Sequence, residues 1–177
     1  RTSPYQFYQF WFNTDDRDVI RLIKYFTFLT REEILNLQEE VKNNPGKREA
    51  QRALAREVTA LVHGREASAQ AEKISRSLFY GDLQSLTAEE MGEAFKDVPS
   101  MAVSNRGASL VELLVQSGLS SSRRQAREDI KNGAIRINDR PETSLQRELL
   151  AADRLCGKYT LLQRGKKNHF LIKWLLQ

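Results

Sequence analysis

One stretch, SSRRQAREDIKNGAIRIN at residues 121–138, constrains the fold more than any other. Its first half repeats with a helical period. Ser122 and Gln125 are spaced to form a capping box, and Ala126 and Ile130 fall on one side. Gly133 then stops the helix, and Ala134-Ile135-Arg136-Ile137 alternates as a strand does. A helix that runs into a strand through a single glycine turn must pack on the sheet that strand joins. This part of the chain is therefore expected to be α+β. The helix before it, SLVELLVQSG, turns Leu110, Leu113 and Leu114 inward and closes at Gly118. After it, Asn138-Asp139 suits a tight turn, and KYTLLQ and HFLIKW bracket RGKKN as a hairpin with a cationic tip.

The side of the central helix opposite Ala126 and Ile130 carries Arg124, Arg127 and Lys131 at i, i+3 and i+7, with Arg123 beside them. Arg136 extends the positive charge onto the strand, and Arg164, Lys166 and Lys167 add a second basic patch at the hairpin. Guanidinium forks match phosphate oxygens in pairs, and lysines add longer-range attraction. Charge is also distributed unevenly. Residues 108–177 hold 13 Lys/Arg against 7 Asp/Glu, whereas residues 1–107 hold 15 against 16. The whole excess behind the net charge of +5 thus lies in the C-terminal part, which points to a nucleic-acid module. The competing reading is a solvated charged face, with Glu128 and Asp129 offsetting some of the charge locally.

The N-terminal part reads as helical throughout. Ser3-Pro4-Tyr5-Gln6 is a helix start, and six aromatic residues between Tyr5 and Phe12 lie nearly all round that helix. The helices that follow look too few and too amphipathic to wrap it, so part of it is expected to pack on protein outside this chain. A second helix places Val19, Leu22, Ile23 and Phe26 at helical spacing. A third opens with a capping box at Thr30–Glu33 and ends at Asn44-Pro45-Gly46. A fourth is expected to bury Leu54, Val58, Leu61 and Val62, a fifth halts at Gly81, and Thr87–Glu90 caps a short sixth. The expected organisation is a helical domain over 1–96, with its bundle in residues 1–80, a flexible linker over 97–107, and a small α+β domain of two helices on a sheet over 108–177.

A single cysteine, Cys156, excludes an internal disulfide and a cysteine-based zinc site. With only His63 and His169, a histidine-rich metal site is not expected either; Cys156 reads as a buried small side chain and the histidines as helix-end or strand residues. No apolar run reaches the length of a membrane span, no signal peptide is visible, and a first residue that is not methionine reads as a piece of something longer.

The string Leu113…Gly118-Leu119…Ser122-Arg123…Ala126-Arg127…Ile130…Gly133…Ile135…Ile137-Asn138 resembles the α-L RNA-binding fold of a small-subunit ribosomal protein, pseudouridine synthases and bacterial tyrosyl-tRNA synthetases. Asp139 departs from it, standing where that fold usually has glycine. RTSPYQFYQFWFNTDDRDVIRLIKYFTFL, then EEI, LVHG at 61–64 and GKYTLLQRGKKNHFLIKW closely resemble the part of bacterial-type tyrosyl-tRNA synthetase that follows its catalytic domain.

This resemblance implies the C-terminal half of a class I aminoacyl-tRNA synthetase of protein biosynthesis, a tyrosine–tRNA ligase of the cytoplasm. It would comprise a helical anticodon-binding domain and an α-L type RNA-binding domain. The implied partner is tRNA(Tyr), with no membrane. Asp15, with Asp16 adjacent, matches the acidic residue the family places near the wobble guanine, where a carboxylate accepts the hydrogens of the Watson–Crick edge; the competing role for Asp15 is a helix cap. Arg164, Lys166 and Lys167 match basic residues of the family's terminal hairpin, which grips tRNA backbone including the long variable arm. The HIGH-like motif and KMSKS-like loop of the catalytic domain do not occur in this sequence. The resemblance thus assigns ATP and Mg to that domain, expects no cofactor or catalytic residue here, and expects this chain alone to be inactive. The family's homodimer forms largely through the catalytic domain, so this chain is expected to be a monomer. The alternative is a non-enzymatic ribosomal-RNA-binding protein using the same module, although the aromatic helix has little use there.

Overall fold

The structure is a computed structural model that describes residues 2–104 and 106–175. The chain divides into two compact units, residues 1–80 and 81–177.

The first unit is all helical: α1 (Pro4–Phe12), α2 (Asp16–Phe26), α3 (Arg31–Asn43), α4 (Glu49–His63) and α5 (Arg65–Phe79). The Ser3 box closes in both directions, with Gln6 N donating to Ser3 Oγ at 3.1 Å and Ser3 N to Gln6 Oε1 at 3.3 Å. At α3, Thr30 caps Glu33 N without the reciprocal bond. One cluster joins Val19 and Ile23 to Ala50, Leu54 and Val58, with Ile34, Leu37 and Val41 packed against it from α3. The aromatic helix α1 is mostly covered from within its own unit. Tyr5, Tyr8 and Phe12 are buried, α4 and α5 pack on the helix, and Ser75 of α5 hydrogen-bonds Gln9. Phe10 alone of its aromatics stands well exposed, at 72%. Leu61 and Val62 are exposed as well, because the last turn of α4 runs past the cluster that Leu54 and Val58 join.

Arg52 of α4 is almost completely buried without an ion pair to any described residue. Its guanidinium lies 5.2–5.9 Å from the ring centres of Phe79, Phe12 and Tyr80 and donates to Lys47 O at 3.2 Å. Aromatic faces here take the role a carboxylate usually fills for a buried arginine.

The second unit contains α6 (Ala88–Ala94), β1 (Ser100–Val103), β2 (Ala108–Ser109), α7 (Leu110–Gln116), α8 (Arg123–Lys131), β3 (Ile135–Ile137), β4 (Arg140–Pro141), β5 (Glu148–Leu149), β6 (Tyr159–Arg164) and β7 (Asn168–Trp174). Five strands form one sheet in the order β1-β7-β6-β3-β4, in which only β1 and β7 run parallel; β2 and β5 pair separately. The α+β expectation holds. The core lies between α7, α8 and one sheet face, where Leu110, Leu113, Leu114, Ala126 and Ile130 meet Ile135, Ile137, Leu162, Phe170, Ile172 and Trp174.

The expected boundaries shift. The break between compact units falls after Tyr80 instead of after residue 96, and α6 belongs with the sheet. Residues 97–107 are not simply a linker, since β1 within them pairs with β7 from Ser100↔Leu171 to Val103↔Trp174. The Asn138-Asp139 turn forms as expected, with both residues at positive φ, 51° and 66°, between the paired Ile137 and Arg140. Short polar side chains tolerate this backbone, which explains how Asp139 stands in for a glycine.

Candidate nucleic-acid interface

Helix α8 starts where Ser122 Oγ accepts Gln125 N at 3.1 Å. The expected reciprocal bond is absent, because the Gln125 amide donates to Asp129 instead, at 2.9 Å. Ala126, Asp129 and Ile130 are buried, whereas Arg123, Arg124, Arg127 and Lys131 are exposed, so the helix has the packed face and the cationic face read from its spacing.

The eight cationic candidates separate by what they bind. Arg123 Nε lies 2.7 Å from Glu112 of α7, an exposed pair of the kind worth at most about 1 kcal/mol. Arg136 donates to Asp139 O at 2.9 Å and lies 3.5 Å from its carboxylate. Arg164 turns inward, with Nε 3.1 Å from Asp129 Oδ2 and Nη1 donating to Leu119 O at 3.1 Å. Arg124, Arg127, Lys131, Lys166 and Lys167 are exposed and make no ion pair with any described residue.

Strand register decides which of these stand together. Ile135 pairs with Arg164, and Gly165 N donates to Ala134 O at 2.9 Å. The hairpin turn carrying Lys166 and Lys167 therefore adjoins the turn that ends α8, just beyond Lys131. The two basic patches become one corner. Arg136 does not join it. Its neighbours Ile135 and Ile137 face the α7–α8 core, so strand alternation sends Arg136 to the other sheet face.

In the helical unit, Asp15 caps α2 by accepting Arg17 N at 2.8 Å. Both of its oxygens also engage the Arg17 side chain, at 3.1 and 3.3 Å. These hydrogen bonds hold the Asp15 carboxyl below its usual value. Asp16 accepts from Gln51 Nε2 at 2.6 Å. The loop between α1 and α2 is anchored by residues that sequence reasoning missed. Arg48 Nη2 donates to Phe12 O at 2.8 Å and Thr14 O at 2.9 Å, and Gln51 Nε2 reaches Thr14 O at 3.2 Å. Nothing in the local pattern marks Arg48 for this; it precedes α4 at φ 57°, unusual for a side chain of its size.

His63 packs edge-on against Phe7 at 5.1 Å, and His169 meets Gln163 on the neighbouring strand at 3.1 Å. Cys156, expected to be buried, is exposed, with Sγ donating to Leu86 O at 2.8 Å. Among the described residues no group of three or more His, Cys, Asp or Glu is placed to hold a metal, and no helix is long and apolar enough to cross a membrane.

Comparison with known proteins follows the same division. Residues 1–80 match the family described as tRNA synthetases class I (W and Y). Residues 90–172 match the tyrosine–tRNA ligase SYY-like C-terminal domain. Tyrosine–tRNA ligase 2 of Enterococcus faecalis is 56% identical over 175 residues, covering 98% of this chain and 42% of that protein. The tyrosine–tRNA ligase of Geobacillus stearothermophilus is 55% identical over 174 residues, with the same shares covered. A solution structure of a tyrosyl-tRNA synthetase C-terminal domain is 47% identical and aligns with 53% of this chain and 95% of its own, at a TM-score of 0.45. The chain belongs to the bacterial-type tyrosyl-tRNA synthetase family and corresponds to its C-terminal region. It spans 42% of the length of these curated relatives.

Proposed function

We propose that this chain is the tRNA-binding C-terminal portion of a tyrosine–tRNA ligase, the enzyme that joins tyrosine to its tRNA using ATP. On this reading the helical unit reads the anticodon and the α+β unit holds the tRNA backbone, including the long variable arm. The observation that carries it is the strand register that sets Lys166 and Lys167 beside the α8 turn, with Arg124, Arg127 and Lys131 on the same helix and all five without an acidic partner among the described residues. Unpaired cations grouped at one corner offer a ribose-phosphate backbone charge without first having to break a bond inside the protein.

Arg123 joins this surface by exchanging its exposed Glu112 pair for phosphate. Arg164 and Arg136 contribute less directly, since each is engaged within its own unit. Asp15 reads the wobble base when Arg17, whose side chain is 87% exposed, swings away and frees the carboxylate; Asp16 supports the loop through Gln51.

ATP and magnesium act outside this portion. The chain by itself is accordingly proposed not to activate tyrosine and to be a monomer, the parent ligase being a cytoplasmic homodimer. Binding of the chain to tyrosine tRNA with and without its long variable arm tests the reading. Weaker binding to the shortened tRNA is expected, and equal affinity would contradict it.

A further inference from the structure

Asp129 is an oddity on the basic helix, a carboxylate whose side chain is 7% exposed among arginines. It collects three donors from three parts of the unit. Ser120 Oγ from the α7–α8 turn reaches Oδ2 at 2.8 Å, Gln125 Nε2 from the helix itself reaches Oδ1 at 2.9 Å, and Arg164 Nε from β6 lies 3.1 Å from Oδ2. Arg164 completes a bridge by donating to Leu119 O. One residue on, Gly165 makes the backbone bond to Ala134 that sets the hairpin turn beside the end of α8.

We infer that Asp129 and Arg164 are positioning residues for RNA binding, locking the β6–β7 turn to α8 so that Lys166 and Lys167 stand in fixed register with Arg127 and Lys131. The inference rests on the RNA-binding reading above. Phosphates along a nucleic-acid strand keep a set spacing, so a cation on a hairpin free to swing must be ordered when RNA arrives. A cation already held in place has met that cost on folding. A buried carboxylate whose oxygens are satisfied by Ser120, Gln125 and an arginine that also reaches a backbone carbonyl is a rigid joint, whereas an exposed lysine pair would not be. The bonds to Asp129 and Leu119 also engage the Arg164 guanidinium within the unit, so the cation nearest the hairpin serves the joint while its neighbours serve the ligand.

The test uses the whole chain with a tyrosine tRNA transcript, measuring affinity against salt for the parent, Asp129→Asn, Arg164→Gln, the pair together, and Lys166→Ala/Lys167→Ala. Each of the first two changes should weaken binding by about tenfold, and the double variant should bind about as the single ones do, since all three break the same joint. Exchange of the Gly165 amide should speed up in both while the amides of β7 stay protected. The Lys166/Lys167 change should cost less in the Arg164→Gln background than in the parent.

Additive losses for Asp129→Asn and Arg164→Gln would overturn the inference. So would an Arg164→Gln variant that lowers the salt slope by about one unit with Gly165 exchange unchanged, which is the behaviour of a direct phosphate contact. Were Asp129→Asn to unfold the unit, Arg164→Gln, at a side chain 38% exposed, would carry the same decision through its slope and its Gly165 exchange. A parent chain whose binding does not respond to salt would instead defeat the RNA-binding reading itself.

Discussion

Arg48 fastens Thr14: its Nη2 donates to the Thr14 carbonyl at 2.9 Å and to the Phe12 carbonyl at 2.8 Å, with the guanidinium carbon 5.3 Å from the centre of the Phe12 ring. One side chain from the start of α4 thus satisfies carbonyls at the end of α1 and shapes the loop that presents Asp15 and Asp16. The backbone of Arg48 is left-handed, at φ 57° and ψ 34°, so alanine, which keeps the Cβ, isolates the loss of the guanidinium, whereas glycine also relieves the strain.

Arg48→Ala should destabilise the helical unit by about 1–2 kcal/mol, the value of charge-assisted bonds to carbonyls, and should accelerate amide exchange at Arg17, whose N–H is bonded to Asp15. Denaturant melts and exchange rates check both. Arg48→Gly should lose less than Arg48→Ala, because removing the Cβ relieves backbone strain that the arginine already bears at this φ.

Asp15→Asn separates capping from recognition. Asparagine caps a helix about as well as aspartate, so stability should change by no more than about 0.5 kcal/mol. One of the carboxylate's two acceptor oxygens becomes an amide donor, so the side chain no longer accepts both hydrogens of the guanine edge and preference for guanine at the wobble position should weaken. Binding of anticodon variants of the tRNA measures it; an unchanged pattern of preference would leave Asp15 as a cap alone.

A pH dependence follows from Asp153. Burial by itself would raise its carboxyl, but hydrogen bonds from Arg147 (Nη1–Oδ2, 3.0 Å) and from Leu150 N (2.8 Å) outweigh it and hold the acid below its ordinary 3.8. A carboxyl depressed on folding contributes stability that is fully present above the unfolded value and fades as pH falls through the lower folded one. The α+β unit should therefore lose stability as pH drops from about 4 downward. Asp153→Asn should cost about 2 kcal/mol near neutral pH and show a smaller further loss in acid, read from melting temperatures at pH 6 and pH 3.

How legible the molecule is in its sequence depends on how local each cause is. The α8–β3 turn can be read because the period changes from helical to alternating across Gly133, and the Ser3 and Thr87 boxes because their partners lie three residues apart. Strand β1 cannot be, since Ser100–Val103 alternates only between exposed and half-buried and pairs with β7 at the other end of the chain. The basic cluster shows both limits. Its composition is plain in the sequence, but the commitment of Arg164 to Asp129 and the turning of Arg136 to the opposite sheet face arise from tertiary pairing between residues far apart. Likewise the aromatic ring of α1 is visible in the sequence, while its burial under α4 and α5 is not.

The most direct test of the central claim is the slope of log affinity against log salt for tyrosine tRNA, compared between the parent chain and Lys166→Ala/Lys167→Ala. Each phosphate contact removed should flatten the slope by up to about one unit, so the variant should lie up to about two units below the parent with weaker binding at low salt. An identical slope in the two proteins would mean that the hairpin turn does not touch the backbone, and would contradict the account.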